Sequence, residues 1–268
     1  MPRDVSFPST FYPVALFLFI SASICIAYGD PIPANNVQGS MHGFLVLKSS
    51  DGKIIAVGDM VQLAHGSQVH SRLVFHFRDG SIDEDTTVFT QGQSLKLVSD
   101  HHVQKGASFP KPLDLMIQVA ESETRSLEVK DGKAEIETEH VDLPDDLANG
   151  MVPLVLEKIA PGMQDATVSY LVGTPKPRIV KLSIKPEGLE SYGLGGLSRQ
   201  AKKYKIHIEI GGITGVVAPI IGKEPPDLHI WVADGNVPTV VKIEGALYEG
   251  GPIWIMEQTV PVWPRKIR

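Results

Sequence analysis

The feature that most constrains this chain is a strict two-residue alternation of apolar and polar side chains, broken at short intervals by turn dipeptides. In residues 69–77, Val69, Leu73, Phe75 and Phe77 fall on one side, and His70, Arg72 and His76 on the other. Side chains alternate across an extended strand, so this spacing describes a strand with one buried face and excludes a helix there. Asp51-Gly52, Asp79-Gly80 and Asp131-Gly132 punctuate the pattern. Such pairs favour tight hairpins because glycine tolerates positive φ. Fourteen segments read as strands: 43–48, 53–57, 69–77, 86–91, 94–99, 113–119, 126–130, 134–141, 166–172, 178–185, 203–210, 228–232, 238–244 and 252–260. Hairpin connections throughout predict an antiparallel meander, and a sheet of more than about ten strands has to curl. The expected fold is mainly β: a curved antiparallel half-barrel or open barrel, forming a single domain over residues 41–264.

One stretch breaks the period. In residues 143–159, LPDDLANGMVPLVLEKI, the residues Leu147, Met151, Leu154, Val155 and Ile159 recur near helical spacing. Pro144, Asp145 and Asp146 suit a helix start, while Gly150 and Pro153 should kink or divide the helix. The reading is a short helical insertion covering the open side of the sheet. The glycine-rich segment 211–222, GGITGVVAPIIG, reads as an apolar loop, and the Gly- and Ser-rich stretch 185–200 as a second loop.

At the front, residues 14–27 form an apolar block, with Arg3 ahead of it and Ala27-Tyr28-Gly29 behind. A block of that length fits the core of a signal peptide and falls short of the roughly 20 residues a spanning helix needs. Residues 1–29 are therefore expected to be removed before Asp30, with residues 30–40 as a flexible lead and no stable transmembrane span left. The one cysteine, Cys25, departs with the signal. An exported chain without disulfides points to a bacterial periplasm or secretion from a bacterium.

The formal net charge of −6 provides no positive field for phosphates, so a nucleic-acid partner is not expected. A single cysteine excludes a multi-thiolate metal site, and no metal or cofactor is expected. The chain contains no G-x-S-x-G elbow, no H-E-x-x-H and no Walker loop. Asp100-His101-His102 is the most suggestive polar cluster, yet adjacent strand residues point to opposite faces. It reads as a solvated strand end, and Asp83-Glu84-Asp85 as an acidic surface turn. Lys202, Lys203 and Lys205, beside Tyr204, form a local basic patch.

The meander, the DGS turn at 79–81, the GASFP loop at 106–110 and the DLPDDLANGMVP insertion at 142–153 resemble a group of exported bacterial proteins of unknown function. That group is distantly similar to the half-barrels of lipoprotein carriers. The resemblance spans most of residues 41–262 and implies a curved antiparallel sheet, carriage of an acyl chain beneath a helical lid, and no catalytic residue. The leading expectation is a non-catalytic envelope protein that binds a lipophilic molecule or another envelope component. Its candidate lining is Met151, Val152, Leu154 and Val155 of the insertion, with Val216, Val217, Ile220 and Ile221 of the apolar loop. A hydrolase using His101, His102 or the acidic groups, and a structural or assembly module, are the alternatives.

Overall fold

A computed structural model describes residues 37–130, 133–159, 165–173, 177–194, 197–209, 225–235 and 237–260. The expected signal at 1–29, most of the lead, the Asp131-Gly132 turn and the loop holding Val216, Val217, Ile220 and Ile221 lie outside them.

The elements are β1 (Met41–Ser49), β2 (Ile54–His65), β3 (Gln68–Phe77), β4 (Ile82–Gln91), β5 (Leu95–Lys105), β6 (Leu113–Gln118), β7 (Glu123–Lys130) and β8 (Lys133–His140). After the helix α1 (Val152–Lys158) come β9 (Ala166–Val172), β10 (Arg178–Leu194), β11 (Leu197–Glu209), β12 (Leu228–Ala233), β13 (Thr239–Gly245) and β14 (Trp254–Thr259). All fourteen strands form one antiparallel sheet in the order β8-β7-β6-β5-β4-β3-β2-β1-β14-β13-β12-β11-β10-β9. The first and last strands thus pair in the middle of the sheet, with Val46 opposite Glu257 and Lys48 bridging to Glu257. Among the described residues the terminal strands of the sheet are β8 and β9, and the insertion lies in the connection between them.

The sheet is curled. The main apolar cluster joins Phe89, Leu95 and Leu97 of β4–β5 to Ile206, Ile230 and Val232 of β11–β12, strands in opposite halves of the order. A flat sheet would hold strands so separated tens of ångströms apart, at just under 5 Å per strand. The fold is therefore the mainly β, open-edged curved meander expected. Among the described residues no helix is long and apolar enough to cross a membrane.

Three local differences have physical causes. Strands β4 and β5 are longer than read, because Asp83 and Asp85 stay in register opposite Gln104 and His102 instead of turning at the surface. Residues 186–194 and 197–200, read as part of a loop, extend the β10–β11 hairpin: a bulge between Pro186 and Gly188, with Gly188 at φ 114°, absorbs the residues that look like breakers. The insertion holds one helix, starting at Val152, because Gly150 at φ 65° ends the preceding turn and Pro153 fits the first helical turn.

Candidate functional site: the curled interior and its insertion

The inward face of the sheet carries two apolar clusters. The larger includes Val69, Phe89, Leu95 and Leu97 on one side and Leu182, Tyr204, Ile206 and Ile230 on the other. The smaller is aromatic: Phe75, Phe77, Phe109 and Trp254, with the Phe77 and Phe109 rings 5.2 Å apart edge to face. Edge-to-face contact sets the positive rim of one ring against the negative face of the other.

The insertion belongs to the larger cluster. Met151, Val152 and Val155 are buried in it, and Leu154 packs against it half-buried. Intrinsic helix stability contributes little here. Helix α1 has seven residues, no side-chain N-cap and no acidic residue in its first turn, and a helix that short is marginal in water. Packing and a few polar attachments hold it in place. Residues 146–149 lie along edge strand β9: Ala148 N–H donates to Ser169 O at 2.9 Å, and Ser169 N–H donates to Asp146 O at 3.1 Å. The Asn149 amide completes the edge, donating to Leu171 O at 2.9 Å and accepting from Leu171 N–H at 2.8 Å. An edge that would otherwise present bare backbone groups is thereby satisfied. The Asp146 carboxylate accepts from Ser169 Oγ at 2.7 Å and from Lys181 Nζ at 3.0 Å. At the far end, Glu157 Oε1 accepts the Val240 N–H at 2.9 Å, and burial raises the pKa of that carboxyl.

Between the two apolar clusters, β4 and β5 turn a polar band inward. Asp83 faces Gln104, Asp85 faces His102, and Thr87 faces Asp100 across the ladder. His102 Nε2 donates to Asp83 Oδ1 at 2.8 Å, and Gln104 Nε2 donates to the same oxygen at 3.2 Å. The Asp85 and Asp100 carboxyls hydrogen-bond to each other, and Thr87 Oγ1 donates to Asp100 Oδ1 at 2.9 Å. Asp100 is only 2% exposed. Burial, followed by the neighbouring charge of Asp85, lifts its pKa well above the ordinary carboxylate range, and burial also raises that of Asp85. For His102 burial opposes the charge, but the bond to Asp83 and the charges of Asp83, Asp85 and Asp100 outweigh it and hold the imidazole up to about 9. The band thus sets an imidazole held in its charged form beside two carboxyls whose burial favours their protonated form. Burial keeps the nearby phenol of Tyr170 on β9 protonated, its pKa raised.

The insertion touches this band. A Cβ on Gly150 would stand 1.9 Å from Thr87 Oγ1 and 2.5 Å from Asp100 Oδ1. Only glycine fits there, both for that contact and for its positive φ. Gly150, itself exposed, covers the buried Thr87 and Asp100.

The remaining polar groups singled out in the sequence are dispersed. His101 faces the opposite side from His102 and pairs with Asp114 at 2.8 Å; Glu84 pairs outward with Arg72 at 2.7 Å. His70 and His76 are exposed. The basic patch is matched by acidic neighbours: Lys203 lies 3.2 Å from Glu187 and 3.4 Å from Glu190, and Lys205 3.8 Å from Asp227. Sequence reasoning set Asp83, Asp85, Asp100 and His102 aside as solvated surface. The signal that would have found them is the shared phase of Asp83, Asp85 and Thr87 with buried Phe89, provided the β4–β5 register was known. Two surface hollows, of about 240 and 140 Å³, are lined by neither the insertion nor this band. Among the described residues no group of three His, Cys, Asp or Glu side chains is arranged to hold a metal ion.

No family model matches the chain, and no curated protein matches its sequence. Among solved structures it is similar to a beta-barrel-like protein of a domain of unknown function, DUF1849, from Brucella abortus. The identity is 10% and the TM-score 0.44, over 85% of this chain and all of the other.

Proposed function

We propose that this is a non-catalytic binding protein of the bacterial cell envelope that carries a lipophilic molecule in the hollow of its sheet, with residues 143–159 as the lid. The observation that carries this reading is the seat of the insertion: a helix too short to be stable by itself is buried in the main apolar cluster and attached by a few polar contacts at its two ends. In this reading the lid, once lifted, would expose apolar residues of the same cluster, Phe89, Leu95 and Leu97 on one side and Ile206, Ile230 and Val232 on the other. An acyl chain inserted among them replaces the contacts that the lid gives up. Each fully buried aliphatic group contributes about 1.5–3 kcal/mol before ordering costs. The proposed lining is Met151, Val152, Leu154 and Val155, joined by Val216, Val217, Ile220 and Ile221.

Export to the periplasm through cleavage after Gly29 is part of the same proposal. Mass spectrometry of the protein isolated from its own cells should find Asp30 at the N-terminus; an intact Met1 or a lipidated Cys25 overturns that address. Carriage itself is tested by titrating the chain from Asp30 onward with a fluorescent fatty acid. The expected result is saturable one-to-one binding competed by unlabelled oleate. A signal that rises linearly to the solubility limit of the probe rejects carriage.

A further inference from the structure

We propose that Asp85, Asp100 and His102 form a proton-operated latch on the insertion: while the cluster keeps its protons the Asn149-Gly150 turn stays seated, and their loss releases that end of the lid. The inference rests on reading residues 143–159 as a lid and adds what controls it.

The geometry ties the relief of Asp100 to the Asn149-Gly150 turn. Asp85 and Asp100 are bonded to each other, Thr87 donates its one hydroxyl proton to Asp100, and His102 is engaged with Asp83. If the shared proton leaves, two adjacent carboxylates face each other with a single hydroxyl proton between them. Two like charges at hydrogen-bond distance resist joint ionisation. Water would relieve them, but Gly150 covers the site so closely that a single added carbon would overlap Thr87. Hydrating Asp100, the 2% exposed member of the pair, therefore requires the turn to lift, while Asp85 is half-buried.

The groups facing the pair reinforce this direction. From β4 come Asp83 and Asp85, both acidic. From β5 comes His102, the one cation of the cluster, and from β9 comes the phenol of Tyr170. On β6 the residue opposite Asp100 is Ile117, and on β3 the residue opposite Asp85 is Leu73, neither carrying charge. Asp146 of the insertion is bonded to Ser169 and Lys181. Losing the shared proton, and then the imidazolium proton, makes the site progressively more negative. The seated state binds more protons than the lifted one, so raising the pH favours lifting. The His102 value of about 9 places the loss of its proton on the alkaline side of neutrality.

Amide hydrogen exchange of residues 147–158, in the chain from Asp30 onward without ligand, tests the latch. Between pH 6.5 and 9.5, after correction for intrinsic rates, opening of this segment should rise at least tenfold while Leu45–Leu47 of β1 stays protected. Asp100→Asn should cut the rise to less than threefold. Thr87→Val, which removes a bond favouring ionised Asp100, should move the rise to higher pH and serves as the second variant should Asp100→Asn fold poorly. A rise unchanged in both variants, or a flat profile, overturns the latch. Saturable fatty-acid binding together with a flat profile keeps the carrier and rejects the latch alone. Exchange of 147–158 only in step with β1 at every pH removes the lid reading and the latch together.

Discussion

The two walls of the interior are built on the same alternation and do different work. Strands β10–β12 face inward with Val180, Leu182, Ile184, Tyr204, Ile206, Ile230 and Val232, an almost wholly aliphatic surface. Strands β4–β5 face inward with Phe89, Leu95 and Leu97 at one end and with Asp83, Asp85, Asp100 and His102 further along. Apolar packing is indifferent to pH, so the first wall gives the insertion a constant contact. Ionisable groups under Gly150 make the second contact adjustable. A two-residue period therefore reports which face a residue occupies but not whether its surroundings are oil or a proton-sharing network.

The largest expected effect falls on the aliphatic wall. Ile230→Ala leaves a cavity in the main cluster and should cost about 2–5 kcal/mol in urea unfolding, by the same amount at pH 6 and pH 8.5. A cost that varied with pH would break the contrast between the walls.

The next effect is that of the polar wall on the pH dependence. The folded pKa of His102 is raised from 6.5 to about 9, so its contribution is complete below 6.5 and lost as the pH rises through 9. Asp100, also raised, acts in the same direction from the acid side: its protonated form is favoured in the folded state. Stability should therefore fall from pH 6.5 to 9.5, by roughly 1–3 kcal/mol on the scale of 1.4 kcal/mol per pKa unit. His102→Gln should flatten that interval. An unfolding midpoint that rises with pH in the wild type would contradict the assignment.

The smallest effect belongs to the outer surface. Lys203→Ala removes two ion pairs and an ammonium 5.3 Å from the Trp231 ring, yet solvent-exposed pairs of this kind contribute at most about 1 kcal/mol. Thermal melts should shift by no more than a few degrees.

Most of the strand order was already present in the sequence, because hairpin turns and alternation are local. The long-range pairing of β1 with β14 was not, since nothing in residues 41–49 names residues 254–259 as their partner. The β10–β11 extension was hidden by Pro186 and Gly188, which usually break a strand but here form a bulge. The helix start was displaced because Asn149 bonds sideways to Leu171 on edge strand β9. The polar band was misread because Asp83-Glu84-Asp85 looks like a turn unless the register opposite Gln104 and His102 is known. What stayed hidden in each case was set by contacts distant in sequence.

The central claim is that the insertion leaves its seat without the sheet coming apart. The chain from Asp30 onward contains no cysteine, so Val155→Cys places a single thiol on the buried face of α1. Its alkylation rate at neutral pH can be set against the rate allowed by global unfolding, measured in urea on the same variant. A rate at least tenfold faster than global unfolding permits is the predicted result; a rate that follows global unfolding at every urea concentration would contradict it.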